Sequence, residues 1–125
     1  MQAHVTGTEA RRLLSGRAHG IHRPGVMNQT EAEYGALLDL RTGHDDVAWF
    51  AFECITLKLA ADTRYTPDFL VMRHDGTLEC HEIKGHWEDD ALVKIKVAAE
   101  KFPFRFISAQ KLPKKYGGGW KVREF

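Results

Sequence analysis

Hydrophobic positions change period several times along the chain. Between Asn28 and Gly43, Tyr34, Leu37, Leu38 and Arg41 follow helical spacing, so the segment predicts a helix with one apolar face. Asn28 or Thr30 can cap it, Glu31 and Glu33 fall in its first turn, and Gly43 can close it. The stretch VAWFAFECITLKLA is dense in β-branched and aromatic residues. Alternation puts Trp49, Ala51, Glu53 and Ile55 on one face and Phe50, Phe52, Cys54 and Thr56 on the other, which predicts one long strand or two joined by a bend. FLVM and LECHEIK are two short strands around RHDGT, whose Asp75-Gly76 pair signals a hairpin. Pro67 falls where the first of them starts, and there its missing N–H does little harm. WEDDALVKIKVAAEKFP predicts a second helix, acidic at its start (Glu88, Asp89, Asp90) and ended by Phe102-Pro103. FRFISA is a further strand, Lys111 to Gly119 a basic, glycine-rich loop, and WKVREF a short closing strand. The predicted order is α-β-β-β-α-β with a β tail, an α/β fold with a mixed central sheet flanked by helices.

Length and composition narrow this little. A chain of 125 residues, 43% hydrophobic and 28% charged, suits one soluble domain. Residues 1–27 carry several Gly, Arg and His and predict a flexible basic arm, with a short helix over Thr8–Ser15 the single regular element available to it; residues 28–125 form the folded domain. The net charge is only +1, yet basic residues gather at both ends: Arg11, Arg12, Arg17 and Arg23, then Lys111, Lys114, Lys115, Lys121 and Arg123. Such patches are usually solvated surface, although they can also hold phosphate backbones. Two cysteines, Cys54 and Cys80, make no disulfide scaffold and fit a reducing compartment. No apolar run is long enough to span a membrane and the start has no signal-peptide core, so the expected location is the cytoplasm.

The candidate chemistry lies in YTPDF and ECHEIKG. Glu82 and Lys84 are two apart and share a strand face, with Ile83 packing behind. Asp68 precedes the partner strand, and a tight hairpin brings it towards Glu82, because paired strands run roughly 5 Å apart. Two carboxylates that close repel and call for a cation between them, and oxygen ligands suit Mg²⁺ or Mn²⁺. Lys84 beside a metal-bound water would favour its deprotonated form and offset charge on a phosphate. Glu31, on a helical face with Tyr34 and Leu38, offers a third carboxylate; Glu33 belongs to the solvent side. Glu53 reads as an ordinary polar residue on a half-exposed strand. By alternation Glu79 and His81 face away from Glu82, towards solvent or a partner. Trp87 either stacks on a base or anchors the second helix, and His86 lies beside it. Cys54, Cys80, His81 and His86 lack a Cys-X-X-Cys pair and predict no zinc site. Gly117-Gly118-Gly119 has no following Lys-Ser/Thr and predicts a turn rather than a phosphate-binding loop.

With its hairpin, YTPDF…HEIKG resembles the Pro-Asp…(Asp/Glu)-X-Lys motif of the PD-(D/E)XK nuclease superfamily, which includes restriction enzymes, λ-type exonucleases and Holliday-junction resolvases. NQTEAEY, FECITLKLA, YTPDFLV, DDALVKIKVAAEKFP and FRF extend the likeness over residues 28 to 107, most nearly to a small phage-encoded branch carrying a domain of unknown function. The resemblance implies a restriction-endonuclease-like core with Asp68, Glu82, Glu31 and the Ile83 backbone carbonyl as Mg²⁺ ligands, Mn²⁺ able to substitute, and Lys84 as the catalytic lysine. It further implies DNA contacts from Lys94 and Lys96, to which the loop lysines Lys114 and Lys115 add. The expected activity is a metal-dependent DNA endonuclease, structure-selective or non-specific, in phage DNA recombination, replication or repair. A homodimer is expected on the ground that two cuts need two sites. Two other readings compete: a non-catalytic DNA-binding or assembly module retaining the fold, and a metal-binding hydrolase of a small phosphorylated molecule. The basic ends count modestly against the last.

Overall fold

The computed structural model describes residues 25–85, 87 and 89–125. The helix predicted over Thr8–Ser15, and most of the basic arm, lie outside the described residues, as does His86.

Helix α1 (Gln29–His44) opens with a reciprocal cap: the Asn28 side chain accepts the Glu31 N–H at 2.8 Å, while the Glu31 carboxylate accepts the Asn28 N–H at 2.9 Å. That box satisfies two donors a helix start leaves without partners. Gly43 does not stop the helix; it runs one residue further and Asp45 caps it, donating its N–H to the Arg41 carbonyl. Met27 is fully buried in the core, so the folded chain includes residues before Asn28.

Five strands form a mixed sheet, β1 (Val47–Phe52), β4 (Phe69–Arg73), β5 (Leu78–Lys84), β6 (Arg105–Lys111) and β7 (Trp120–Glu124), in the order β1-β4-β5-β6-β7. All neighbours pair antiparallel except β5 and β6, which run parallel. Parallel neighbours need a long crossover, and helix α2 (Asp89–Lys101) provides it. Of the two expectations for VAWFAFECITLKLA, two strands joined by a bend is the one observed. β1 ends at Phe52, and Glu53 takes a left-handed backbone (φ 47°) that no continuous strand tolerates. Beyond it, β2 (Leu57–Ala60) and β3 (Thr63–Tyr65) form a separate hairpin, and the Thr56 and Thr66 hydroxyls meet across its open end at 2.7 Å.

The sheet is covered on both faces. On one, α1 packs Tyr34 and Leu38 against Val47, Phe50, Phe69, Val71 and Ile83. On the other, α2 and the β2–β3 hairpin bury Leu57, Leu59, Tyr65, Ile95 and Ala98 with Cys80 and Phe106. Apolar burial of this kind is the main stabilising term for such a fold. The hairpin at Asp75-Gly76 forms as expected: Gly76 takes φ 88°, and the Asp75 side chain accepts the Thr77 N–H at 2.9 Å. Both cysteines are free thiols, Cys54 exposed and Cys80 buried. Among the described residues, no helix is long and apolar enough to cross a membrane.

Double coverage corrects one expectation. Glu79 and His81 do not face solvent; they are 1% and 2% exposed. Alternation does turn them away from Glu82, but the face they reach lies under α1, because β5 is an interior strand.

Candidate functional site

The β4–β5 register pairs Phe69 with His81, so Asp68, one residue earlier, comes opposite Glu82. Three contacts fix Asp68. Its Oδ2 accepts the Ile83 N–H at 2.8 Å, its carbonyl accepts the Glu53 N–H at 2.8 Å, and Pro67 before it is buried. The strained residue at the end of β1 therefore holds the Asp68 backbone in place. Ile83 meets Asp68 through its N–H; its carbonyl as a metal ligand is an expectation of the family resemblance alone.

Glu82 is gripped from two sides. Its Oε1 accepts the Tyr65 hydroxyl at 2.7 Å, and its Oε2 lies 3.0 Å from Lys84 Nζ. The same ammonium stands 5.7 Å from the centre of the Trp87 ring, a cation–π distance. Trp87 itself packs against the α2-side core and meets Phe125 edge-on at 5.8 Å, so of its two expected roles the anchor of the second helix is the one observed.

Asp68, Glu82 and Glu31 are all buried. Burial pushes the Asp68 carboxyl well above the usual carboxylate range, and the charges of Glu82 and then Glu31 push it further; the Ile83 N–H and Lys84 offset part of this. Burial, with Glu82 beside it, drives the Tyr65 hydroxyl upward, so it stays protonated and can only donate to Glu82 through its hydrogen. These donors are all oxygens, a set that suits a hard divalent cation. Among the described residues, no group of three or more His, Cys, Asp or Glu side chains is arranged to hold a metal ion, and Glu31 bears on Asp68 through its charge. Glu31 lies on the buried side of α1 with Tyr34 and Leu38, its carboxylate engaged by the cap.

The other expected residues lie further out. Lys96, on α2, is exposed and Lys94 half-buried; Lys114 and Lys115 are exposed in a 3-10 turn (Lys114–Tyr116) after β6, with Lys115 Nζ 5.0 Å above the Tyr116 ring. Glu33 is on the solvent side, paired with Lys111 at the end of β6. Tyr65 was not foreseen. The signal available was its position three residues before Asp68, in RYTPD, with an aromatic ring to bury and a hydroxyl to deliver.

No family model matches the chain, and no solved structure matches it. The similarity that does emerge is to enzymes. Aromatic prenyl transferase PC-22 of Penicillium crustosum and aromatic prenyl transferase ptmE of Penicillium ochrochloron are each 33% identical to this chain over 69 residues. That segment is 55% of this chain but 16% of each relative, so the match spans a small part of those proteins. It overturns the expected DNA endonuclease. Prenyl transfer to an aromatic molecule makes a bond to a prenyl carbon, whereas an endonuclease hydrolyses a bond to phosphorus. An enzyme is the part of the expectation with which the likeness agrees.

Proposed function

We propose that this chain is an enzyme domain that holds a divalent cation at Asp68 and Glu82 and binds the phosphate or diphosphate group of a small organic substrate. The observation that carries this reading is the buried pair of opposed carboxylates, with Glu31 adding negative charge nearby and Lys84 in contact with one of the pair. Burying like charges together is costly unless a cation joins them, and a protein keeps such an arrangement where function needs it. The cation would supply positive charge for the phosphate oxygens. Asp68 and Glu82 would hold it. Lys84, half-buried beside Glu82, would meet a phosphate oxygen, and Trp87 beside it would offer an apolar wall for the organic part of the substrate.

The α1-β1-β2-β3-β4-β5-α2-β6 order, in which the β2–β3 hairpin stands outside an antiparallel β1-β4-β5 run followed by the parallel β6, supports reading the core as restriction-endonuclease-like and Pro67-Asp68…Glu82-Ile83-Lys84 as the motif of the PD-(D/E)XK superfamily. A fold of this kind does not fix the substrate. Likeness to aromatic prenyl transferases favours an organic substrate whose leaving group is an anion, since a prenyl carbon becomes a good electrophile when its oxygen departs as diphosphate.

The test is calorimetric. Mn²⁺ and Mg²⁺ are titrated onto the wild type, Asp68→Asn and Glu82→Gln, and inorganic diphosphate is then titrated with and without Mn²⁺ onto the wild type and Lys84→Ala. Expected are cation binding lost in both carboxylate variants, and cation-dependent diphosphate binding weakened at least roughly tenfold by Lys84→Ala, the scale of one charge-assisted hydrogen bond. A wild type that binds neither cation would remove this reading.

A further inference from the structure

We infer that Tyr65 is the positioning residue of the cation site: its hydroxyl holds one oxygen of Glu82 so that the other is presented to the cation. This rests on the function proposed above. Tyr65 ends β3, a strand outside the main sheet, and its ring is buried among Leu57, Leu59, Ile95 and Phe106. Two independent anchors therefore set where its hydroxyl lies: that packing, and the short Thr66-Pro67 link that joins it to Asp68. The Thr56–Thr66 hydroxyl contact closes the base of the hairpin immediately beside it.

The hydrogen bond has a consequence for Glu82 that burial alone would not give. A glutamate has three rotatable bonds, and its carboxylate can turn. With Oε1 accepting from Tyr65 at 2.7 Å and Oε2 at 3.0 Å from Lys84 Nζ, the plane of the carboxylate is fixed. The oxygen that Lys84 occupies is the one a cation would claim, and the oxygen that Tyr65 occupies stays bound throughout. Carboxylates that ligate metals are characteristically held in this way, and loss of such a support typically lowers metal affinity about 10–100-fold. Asp68 has its own equivalent in the Ile83 N–H. The two carboxylates are thus held by groups of different origin, one from the backbone of β5 and one from the accessory hairpin. The hairpin's place in the fold follows: it brings a hydroxyl to the sheet's acidic end.

The experiment compares Mn²⁺ dissociation constants, by calorimetry and by the manganese paramagnetic resonance signal, for the wild type, Tyr65→Phe, Leu59→Ala and Glu82→Gln, with thermal melts of each. Tyr65→Phe keeps the ring and removes the hydroxyl; Leu59→Ala loosens the same packing and keeps the hydroxyl. Expected are a roughly 10–100-fold weaker Kd for Tyr65→Phe, a Kd within about twofold of wild type for Leu59→Ala despite its lower melting temperature, and no binding for Glu82→Gln. If the wild type binds Mn²⁺ and Tyr65→Phe binds it equally well, the positioning role is overturned and the cation site stands. If Leu59→Ala weakens binding as much as Tyr65→Phe, Tyr65 acts by packing and the role is likewise overturned. If the wild type binds no Mn²⁺, the cation reading fails and this inference fails with it.

Discussion

The hydroxyl of Tyr34 on α1 lies 2.7 Å from Nδ1 of His81 on β5, a hydrogen bond inside the core that ties the first helix to the central strand. The other ring nitrogen of His81 stands 2.8 Å from Glu79 Oε1. A carboxylate can only accept, so Nε2 donates to it, and the Tyr34 hydroxyl is the partner of Nδ1. Glu79 then passes the chain outward to Arg105 at 2.9 Å. Removing the hydroxyl with Tyr34→Phe leaves Nδ1 buried without its partner and should destabilise the fold by about 1–3 kcal/mol. Urea unfolding measures this, and a Phe variant as stable as the wild type would show that the chain of bonds contributes nothing.

Acid should act through Glu79. Its carboxyl is held below the usual range, first by the hydrogen bond from His81 and then by the charges of His81, Arg105 and Arg73. A depressed folded value means that the stabilisation is complete above the unfolded glutamate range and is lost as pH falls through the folded value. Glu79→Gln should therefore flatten the acid side of the stability profile. At neutral pH it should cost roughly 1.5–3 kcal/mol, the scale of hydrogen bonds to charged groups, since Arg73 and Arg105 are 31% and 45% exposed and water can compensate them. Equal acid sensitivity in the variant and the wild type would place the titrating group elsewhere.

The opposite sign is expected at the candidate site. Asn at position 68 could still accept the Ile83 N–H while ending the repulsion from Glu82 and Glu31. Asp68→Asn should raise stability in metal-free buffer by about 0.5–2 kcal/mol, a stability gained where function is surrendered. Thermal melts in EDTA decide the matter: a lower melting temperature would mean that the charge is already compensated.

A backbone effect separates cleanly from packing at Gly118. Gly117, Gly118 and Gly119 all take positive φ (95°, 65° and 75°), and a Cβ on Gly118 would meet nothing within 4 Å. Gly118→Ala should therefore cost about 1–2 kcal/mol through the left-handed conformation alone. An unchanged unfolding midpoint would show that the turn can relax to another shape.

What the chain discloses on reading depends on how local the cause is. The Asn28–Glu31 cap, the Asp75-Gly76 turn and the acidic start of α2 are each written within four residues, and each appears where expected. The β2–β3 hairpin is not written that way. Its second strand is three residues long, too short for a period to emerge, and the left-handed Glu53 that separates it from β1 carries no glycine to announce it. At the site, the approach of Asp68 to Glu82 follows from the hairpin register. Tyr65 reaches Glu82 from another hairpin, through packing that no local pattern encodes. The misplacement of Glu79 and His81 has the same origin: alternation sorts residues into two faces but does not say that both faces of β5 are roofed. The endonuclease expectation joined a short motif to one chemistry, and similarity to prenyl transferases separates the two.

β7 lies at one margin of the sheet, with Lys121, Val122, Arg123 and Glu124 all exposed along it. A strand at a margin is a template on which other molecules can polymerise, and flanking charge is the ordinary defence. Arg123 lies over the Phe125 ring at 4.3 Å and covers part of that aromatic surface. Neutral β-branched residues at Lys121 and Arg123 would leave the domain able to fold yet prone to fibrillate in concentrated solution, so these two cations guard its colloidal behaviour.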